Sequence, residues 1–413
     1  MSTFRGFIYG LRTEGPRGLL RFARNELAAP RLALTRRLRR TVTAVGDRFR
    51  RTTTASAAWS DDCLQVVWDL SVAPVSFALA GALAAAEVER RRRGLAGINV
   101  LLLAGPFDGV KRETPTHEMA EDAAARTWRL RHQLVPALAM LPSVRGVAFC
   151  ADRQQAWSLI TDDPTRLYPD DYRVFLPRRP DPAALCALAR DGATVWPLFG
   201  ATTQGLRLAD EFVGRVAGGR RTVVITLRAD ALSPAHNSRI DDWVAFADGL
   251  DPARYAVIFV HDGATAAPIP AALARHAVCP AASLDIELRL GLYERAFLVM
   301  GVMSDPLMLA CHDERVRYQI FVPPDHEGDS PARALIEAGH RIGGDLEFAR
   351  PWQQLVWRAD ELAAIRPAFA AMEARLAAFE AMERTEPAAA PPMLPGFARL
   401  NPGYGLSSAS RGS

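Results

Sequence analysis

Short apolar runs alternate with longer segments of helical composition from about residue 62 onward. The first apolar runs are 64–70, 98–103 and 146–150, and the segments 75–93 and 116–138 between them are predicted helices. The run 98–103 has almost no polar position, which is typical of a parallel strand covered on both faces. This part of the chain therefore predicts a sheet with helical crossovers.

A second series of the same kind begins near residue 220. Its predicted strands are 222–227, 255–260, 297–302 and 318–322, with helices at 240–250, 285–296 and 306–311. Two series of parallel strands with helical crossovers predict the α/β class, with two doubly wound, Rossmann-like domains. We place these domains at 56–214 and 215–358, with the Gly/Arg-rich stretch around 214–221 as the link.

The C-terminal segment 359–413 and the apolar run 70–86 differ from the alternating pattern of the two domains. A segment rich in Ala, Glu and Leu predicts a C-terminal helix at 359–385, and the composition of 386–413 predicts a disordered tail. The longest apolar run, 70–86, contains Pro74 and is shorter than the roughly 20 residues that a membrane span needs. We expect a buried strand, turn and helix there rather than a span.

Positive charge is concentrated in a leader at residues 1–55. The leader holds thirteen arginines against three acidic residues, whereas the whole 413-residue chain has a formal net charge of +4. Apolar residues between these arginines predict either a cationic amphipathic helix that binds an anionic membrane surface through residues 1–51, or a solvated, disordered extension. Nucleic-acid binding is not expected, because the remainder of the chain is acidic and has no recognised nucleic-acid motif.

Five cysteines lie singly along the chain, without the paired spacing of a zinc site. An odd number of cysteines, most of them in apolar contexts, is typical of buried thiols in a reducing compartment rather than of a disulfide framework. The N-terminus also lacks the uninterrupted apolar core of a signal peptide. We therefore expect a cytoplasmic protein without a metal site, held at the inner face of the membrane if the leader binds lipid.

Polar residues that follow predicted strands are the candidates for a binding site, because ligands of parallel sheets bind at the carboxyl ends of strands. Arg228 ends one such strand and is suited to pair with a phosphate through its planar guanidinium. His236, Asn237 and Ser238 follow it, and Asn237 or Ser238 is expected to cap the next helix and hold an anion there. A surface salt bridge and an ordinary helix cap are the alternatives.

Two further places follow predicted strands. In the turn Ser304-Asp305-Pro306, Ser304 or Asp305 is expected to cap a helix that has Pro306 at its first position. Free backbone N–H groups there would suit a diphosphate, although the Asp305 carboxylate would compete with it. In the first predicted domain, Asp69 follows a strand, and Asp108 lies in a glycine-bounded loop at the end of another strand, where an acceptor could approach the backbone.

At these residues the chain resembles the GT-B glycosyltransferases. The segments 223–228, 237–238, 292–296 and 301–306 are similar to the C-terminal halves of bacterial polysaccharide-type transferases, and more distantly to heptosyltransferases and fucosyltransferases. In that group a Gly-x-x-Ser/Asn-Gly-Pro segment closes over the phosphates of the donor. In this chain Asp305 stands where that pattern has its second glycine. The likeness covers about residues 62–360.

The resemblance implies a glycosyltransferase of hexosyl or fucosyl/heptosyl type that acts in bacterial surface polysaccharide or glycoconjugate synthesis. Its donor would be a nucleotide-diphosphate sugar, its acceptor a glycan or a lipid-linked molecule, and no metal is expected. By the same likeness, Arg228 would neutralise the diphosphate, Ser304 would face phosphate or ribose, and Glu294 would hold a hydroxyl of the donor. The general base would come from the first domain, with Asp69 and Asp108 as its candidates. A non-catalytic binding or scaffold protein, and a nucleotide-sugar epimerase or hydrolase, are the alternatives.

Overall fold

The computed structural model describes residues 35, 37, 38, 61–105, 123–230, 233–263, 269–324 and 330–385. The leader apart from those three residues, the loop with Asp108, and the tail 386–413 lie outside this part of the chain. The predictions made for them therefore stay predictions. Within the described part, two parallel sheets with helical crossovers confirm the predicted α/β class.

The first sheet has four parallel strands in the order β3-β2-β1-β4. Strands β1 and β2 are buried along their whole length, as the apolar run 98–103 predicts. The two-residue β4 lies in a Pro/Asp-rich segment and is too short to produce a pattern in the sequence. The elements are β1 (Cys63–Asp69), α1 (Ala78–Arg92), β2 (Gly97–Leu103), α2 (Ala123–Arg129), a π-helical turn (Leu130–Leu134), α3 (Val135–Leu138), β3 (Val144–Cys150), α4 (Arg153–Leu159), β4 (Leu167–Tyr168) and α5 (Ala184–Arg190).

The second sheet has six parallel strands in the order β10-β9-β8-β5-β6-β7. The chain builds outward from β5 to β7, and then returns to β8 on the other side of β5. Strands β5 and β8 therefore flank the point at which the strand order reverses, as in dinucleotide-binding folds. The elements are α6 (Thr203–Ala217), β5 (Arg221–Ala229), α7 (Ile240–Asp248), β6 (Tyr255–Gly263), β7 (Ala277–Val278), α8 (Ile286–Arg295), β8 (Leu298–Val302), α9 (Leu307–Cys311), β9 (Tyr318–Phe321), α10 (Pro331–Glu337), β10 (Gln353–Val356) and α11 (Leu362–Thr385).

Helix α6 packs with the second sheet, although the predicted domain boundary at 214/215 runs through it. Its partner is α8, and the two helices touch at a pair of glycines. A Cβ at Gly291 would lie 2.3 Å from the carbonyl oxygen of Gly205, so neither helix tolerates a larger residue at this contact. The chain therefore reaches the second sheet before Thr203.

The apolar core is continuous between the two sheets, because buried residues of β1, α1, α8 and β9 belong to one cluster. A second cluster lies under α7 and α11, and α11 confirms the predicted C-terminal helix. All five cysteines are buried, as predicted. Among the described residues, no helix is both long and apolar enough to cross a membrane.

Candidate functional site

The carboxyl ends of β5, β6 and β8 meet beside the reversal point of the second sheet. In the strand register, Arg228 of β5 lies opposite Asp262 of β6, and Thr226 lies opposite Gly301 of β8. A Cβ at Gly301 would lie 2.4 Å from the Thr226 carbonyl oxygen, so glycine is needed for β8 to approach β5 this closely. Arg228 and the turn after β8 are thereby held next to each other.

Arg228 bridges the reversal point of the strand order. Its guanidinium donates to the carbonyl oxygen of Met303 over 3.0 Å and forms an ion pair with Asp230 at 2.9 Å. The side chain is only 13% exposed. Its Nε is buried and has no hydrogen-bond partner among the described residues. Because a guanidinium carries five N–H donors, Arg228 keeps capacity for a further acceptor.

The residues after Arg228 fix its backbone. Ser238 accepts a hydrogen bond from the Arg228 N–H over 2.8 Å and donates its own N–H to the Arg228 carbonyl over 3.0 Å. The Asn237 side chain accepts from the N–H of Asp230 and donates to its carbonyl. His236 is buried and contacts Ser233 over 2.6 Å. These side chains hold the end of β5, which carries Arg228.

The expectation that Asn237 or Ser238 caps helix α7 is wrong. The N-cap position is Arg239, and no side chain at that position caps the helix. The Asp360 carboxylate accepts from the Arg239 N–H over 2.9 Å and from the Trp243 indole over 2.8 Å. A protein carboxylate therefore occupies the positive end of α7, so we no longer expect an external anion there.

A buried ion pair lies beside Arg228. Arg289 of α8 is 1% exposed and contacts the Asp262 carboxylate at 3.1 Å. The same carboxylate accepts a hydrogen bond from the Ser304 hydroxyl over 2.6 Å. Arg289 also donates to the Ala282 carbonyl, whereas its Nη2 has no hydrogen-bond partner in the described part of the chain. Arg289 therefore adds positive charge at the ends of β5 and β6 from a buried position that a ligand does not touch.

Asp305 places this edge of the second sheet against the first domain. Its carboxylate accepts from the Phe77 N–H, at the start of α1, over 3.4 Å. The Asp305 side chain is exposed to solvent, but many protein atoms lie around it. These atoms reduce the solvation of its charge and so raise the pKa of the Asp305 carboxyl. Arg129 and Arg228 lower the same pKa by charge attraction, so both lie close to Asp305. Asp305 therefore lies where this edge of the second sheet meets the first domain. We use the word crevice for this meeting place of Asp305, Phe77, Arg129 and Arg228.

The predicted cap at Ser304 or Asp305 is also wrong. Helix α9 begins after Pro306, which takes the N-cap position. The Ser304 hydroxyl is engaged by Asp262 and the Asp305 carboxylate by Phe77, so neither side chain is available for the helix end. Their backbones contribute instead, because the Ser304 and Asp305 carbonyls accept from the first N–H groups of α9.

Glu294 lies away from this crevice, near the start of β8. It accepts a hydrogen bond from the Ala201 N–H and pairs with Arg315 at 2.7 Å. Burial, together with the neighbouring carboxyl of Asp313, raises the pKa of Glu294 to about 7. The structure therefore does not bring Glu294 together with Arg228 and Ser304.

Asp69 ends β1 and is completely buried. Its carboxylate forms an ion pair with Arg153 and accepts hydrogen bonds from Ser71 and from the Tyr172 hydroxyl. These contacts occupy both oxygens. The other predicted base, Asp108, lies outside the described residues.

Three charged residues at the crevice were not among the site residues predicted from the sequence. Asp262 lies two residues after a predicted strand, so the rule that selected Arg228 also applies to it. Arg289 lies among leucines on a helix that is buried all round, and a charge at such a position indicates a specific partner. Arg129 donates to the Val75 carbonyl over 3.3 Å, a contact between distant segments that no sequence pattern reveals.

The crevice combines positive charge from both sides with one exposed carboxylate. Arg129 comes from the first domain, and Arg228 and Arg289 come from the second. Asp262 balances Arg289, whereas Asp305 stands where an anionic ligand would meet the remaining charge. This arrangement is suited to bind an anionic group such as a diphosphate and to stabilise negative charge that develops on it.

No protein-family model and no curated protein matches the chain. Among solved structures, it is similar to a family 9 glycosyl transferase from Veillonella parvula DSM 2008, with 10% identity, 76% of this chain and 97% of that chain covered, and a TM-score of 0.44. It is also similar to the E. coli ADP-heptose heptosyltransferase II, with 12% identity, coverage of 78% and 99%, and a TM-score of 0.41. The E. coli heptosyltransferase WaaC gives 12% identity, coverage of 78% and 99%, and a TM-score of 0.31. At these identities and TM-scores the likeness is distant. The two parallel sheets and their strand order define the fold independently of it.

Proposed function

We propose that the chain is a nucleotide-sugar-dependent glycosyltransferase that acts in bacterial surface polysaccharide or glycoconjugate synthesis. The observation that carries this proposal is the convergence of Arg228, Arg289 and Arg129 on one crevice at the reversal point of the second sheet. The guanidinium groups of Arg228 and Arg129 would pair with the donor diphosphate, and the buried Arg289 would add positive charge behind them. Their charge would stabilise the diphosphate as it leaves the sugar, so this step needs no metal.

The acceptor side belongs to the first domain in this proposal. Arg153, Tyr172 and Ser71 occupy the hydrogen-bonding positions of the Asp69 carboxylate, so we assign Asp69 a structural role beside the crevice. Asp108 is then the remaining candidate for the base that accepts a proton from the acceptor hydroxyl. The acceptor itself would be a glycan or a lipid-linked molecule.

A donor-binding experiment tests the proposal. Calorimetric titration with the UDP, GDP and ADP forms of hexoses and heptoses should identify one donor class that the full chain binds. Arg228→Ala should weaken this binding about 10- to 100-fold, since a hydrogen bond to a charged group contributes roughly 1.5–3 kcal/mol. The donor affinity of Arg228→Lys should lie between those of the unaltered chain and Arg228→Ala, because lysine keeps the charge but lacks the planar guanidinium.

Arg275→Ala is the matched control, because Arg275 is 67% exposed and pairs with Asp248 in the same domain. It should leave the affinity unchanged. Equal affinity of Arg228→Ala and the unaltered chain would remove Arg228 from the site. Absence of binding to every nucleotide sugar would refute the proposed donor class.

A non-catalytic binding protein is the second candidate, and the position of Asp305 favours it. A carboxylate already lies near Arg129 and Arg228, where a diphosphate would be needed for turnover. A donor that binds without release of nucleoside diphosphate, when a bacterial glycan fraction is added, would support this candidate. Release that depends on the glycan fraction would support the transferase, and release without it would support hydrolysis.

The same proposal places the protein at the inner face of a membrane through the leader at residues 1–55. Replacing Arg36, Arg37, Arg39 and Arg40 together with glutamine should release the full chain from vesicles that contain phosphatidylglycerol. Each basic residue near such a surface contributes about 1 kcal/mol, and salt screens the attraction. Unchanged co-sedimentation at low and high salt would contradict membrane binding by these arginines.

A further inference from the structure

Three side chains with metal-binding chemistry meet away from the crevice. Cys186 of α5, His340 and Glu347 offer a thiol, an imidazole and a carboxylate, and their ligand atoms all lie within 4.8 Å of one another. Cys186 is 1% exposed, and the side chains of His340 and Glu347 are 7% and 6% exposed. We propose that these residues form a zinc site that joins the two halves of the protein.

An ion at this place would take one oxygen of Glu347. His340 Nδ1 lies 2.5 Å from Oε2 of Glu347, and Arg190 contacts the other oxygen, Oε1, at 2.5 Å. Carboxylates that bind metals are held in this way by a second hydrogen bond. Ligands of one zinc ion sit about 3–4 Å apart, given bonds of about 2.0–2.3 Å. The ion would therefore replace the proton between His340 and Glu347 and separate the two groups by about 1 Å.

The ligand set selects zinc over magnesium or calcium, which prefer oxygen ligands alone. Binding of Zn²⁺ would form the Sγ–Zn bond and release the thiol proton to solvent. The imidazole proton, which lies between Nδ1 and Glu347 without the ion, would move to Nε2, so that Nδ1 can bind the ion.

The site would fasten α5 of the first domain to the segment that follows α10 of the second. This contact is already close, because Trp196 donates to the Phe348 carbonyl over 2.7 Å and Cys186 donates to the Gly339 carbonyl over 3.2 Å. Gly339 has a φ of +86°, and a Cβ there would lie 3.1 Å from the Ala183 side chain. Glycine therefore brings His340 up to α5. The fourth zinc position remains for water or a backbone carbonyl.

The full chain, stripped of metal with a chelator, tests the proposal by titration with Zn²⁺ against a chromophoric competitor. It should bind one equivalent, and Co²⁺ in its place should give a thiolate charge-transfer band. Cys186→Ser should abolish this band, and Cys186→Ser and His340→Gln should each weaken Zn²⁺ binding about 100-fold or more. Cys150→Ser, which alters another buried cysteine of the first domain, should change neither result.

Two outcomes would overturn the zinc site. One is the absence of stoichiometric binding at micromolar Zn²⁺ in the unaltered chain. The other is a Co²⁺ spectrum without a thiolate band, or one that persists in Cys186→Ser. Because the unaltered chain alone decides the first point, the test holds even if a variant fails to fold. It is also independent of the proposed glycosyltransferase activity.

Discussion

The two sheets place a charged residue at equivalent positions and use it differently. Asp69 ends β1, the strand from which the first sheet builds, and Arg228 is in the last part of β5, which has the same place in the second sheet. Asp69 is completely buried, and Arg153, Tyr172 and Ser71 saturate its carboxylate. Arg228 keeps an unused donor beside an exposed carboxylate. Topology therefore selects where a site can form, while the number of unused donors and acceptors distinguishes a structural group from a binding group.

The difference has a physical cause. A buried charge is tolerated when its hydrogen bonds are complete, and a saturated carboxylate has nothing left to offer a ligand. A buried donor without an acceptor is costly, and a ligand that supplies the acceptor recovers this free energy. We therefore expect changes near Asp69 to alter stability and changes near Arg228 to alter binding.

Removing the partner of Asp69 should have the largest effect on stability. Arg153→Met leaves the buried carboxylate without its cation, so the free energy of unfolding should fall by about 3 kcal/mol. Denaturant unfolding measures this change. Arg145→Met is the control, since Arg145 and Asp62 form a pair in which both side chains are more than half exposed, and it should cost no more than about 0.5 kcal/mol. If both variants lowered the free energy of unfolding by the same amount, Arg153 would not stabilise the buried Asp69 carboxylate in the way proposed.

Glu294 is a third case, a buried carboxyl that lies next to another carboxyl, that of Asp313. Burial and Asp313 raise its pKa to about 7, whereas an unfolded chain loses this proton near its ordinary value of 4.5. Between these pH values the folded state binds more protons, so stability is highest at low pH and is lost as pH rises through 7. Glu294→Gln should remove this loss and stabilise the protein at pH 8 by about 2 kcal/mol.

Thermal unfolding at pH 5 and at pH 8 measures the effect of Glu294. The control is Glu211→Gln, which alters an exposed glutamate of the same half of the chain and should leave the pH dependence unchanged. If Glu294→Gln lost as much stability between the two pH values as the unaltered chain, Glu294 would not be the carboxyl that retains the proton.

The sequence predicted the strands and the edge of the sheet more successfully than the contacts of its side chains. Apolar runs identified β2, β5 and β6, because a buried parallel strand needs an uninterrupted apolar sequence. Arg228 followed from its place at the end of such a run. The helix cap was wrong because Asp360, more than a hundred residues away, supplies the carboxylate.

Contacts between distant segments explain the remaining differences. The pairing of Asp262 with Arg289 depends on how α8 packs behind β6, and the meeting of Cys186 with His340 depends on the approach of the two halves. Neither pair has a fixed spacing along the chain. Periodicity reports which face of an element is buried, but not which residue of another element it meets.

Asp305 gives the smallest predicted effect and the sharpest distinction between the two sheet edges. Its carboxylate lies near Arg129 and Arg228, where it competes with an anionic ligand. Asp305→Asn keeps the shape and removes the charge, so a nucleotide sugar that the full chain binds should bind about tenfold more tightly, a change of about 1.4 kcal/mol. Because the pKa of Asp305 is raised, affinity in the unaltered chain should increase as pH falls toward that pKa, and Asp305→Asn should flatten this dependence.

Asp210→Asn, which removes an exposed carboxylate paired with Arg295, is the control and should change neither the affinity nor its pH dependence. Weaker binding by Asp305→Asn would instead mean that Asp305 contacts the ligand itself, and equal binding would mean that the ligand lies elsewhere.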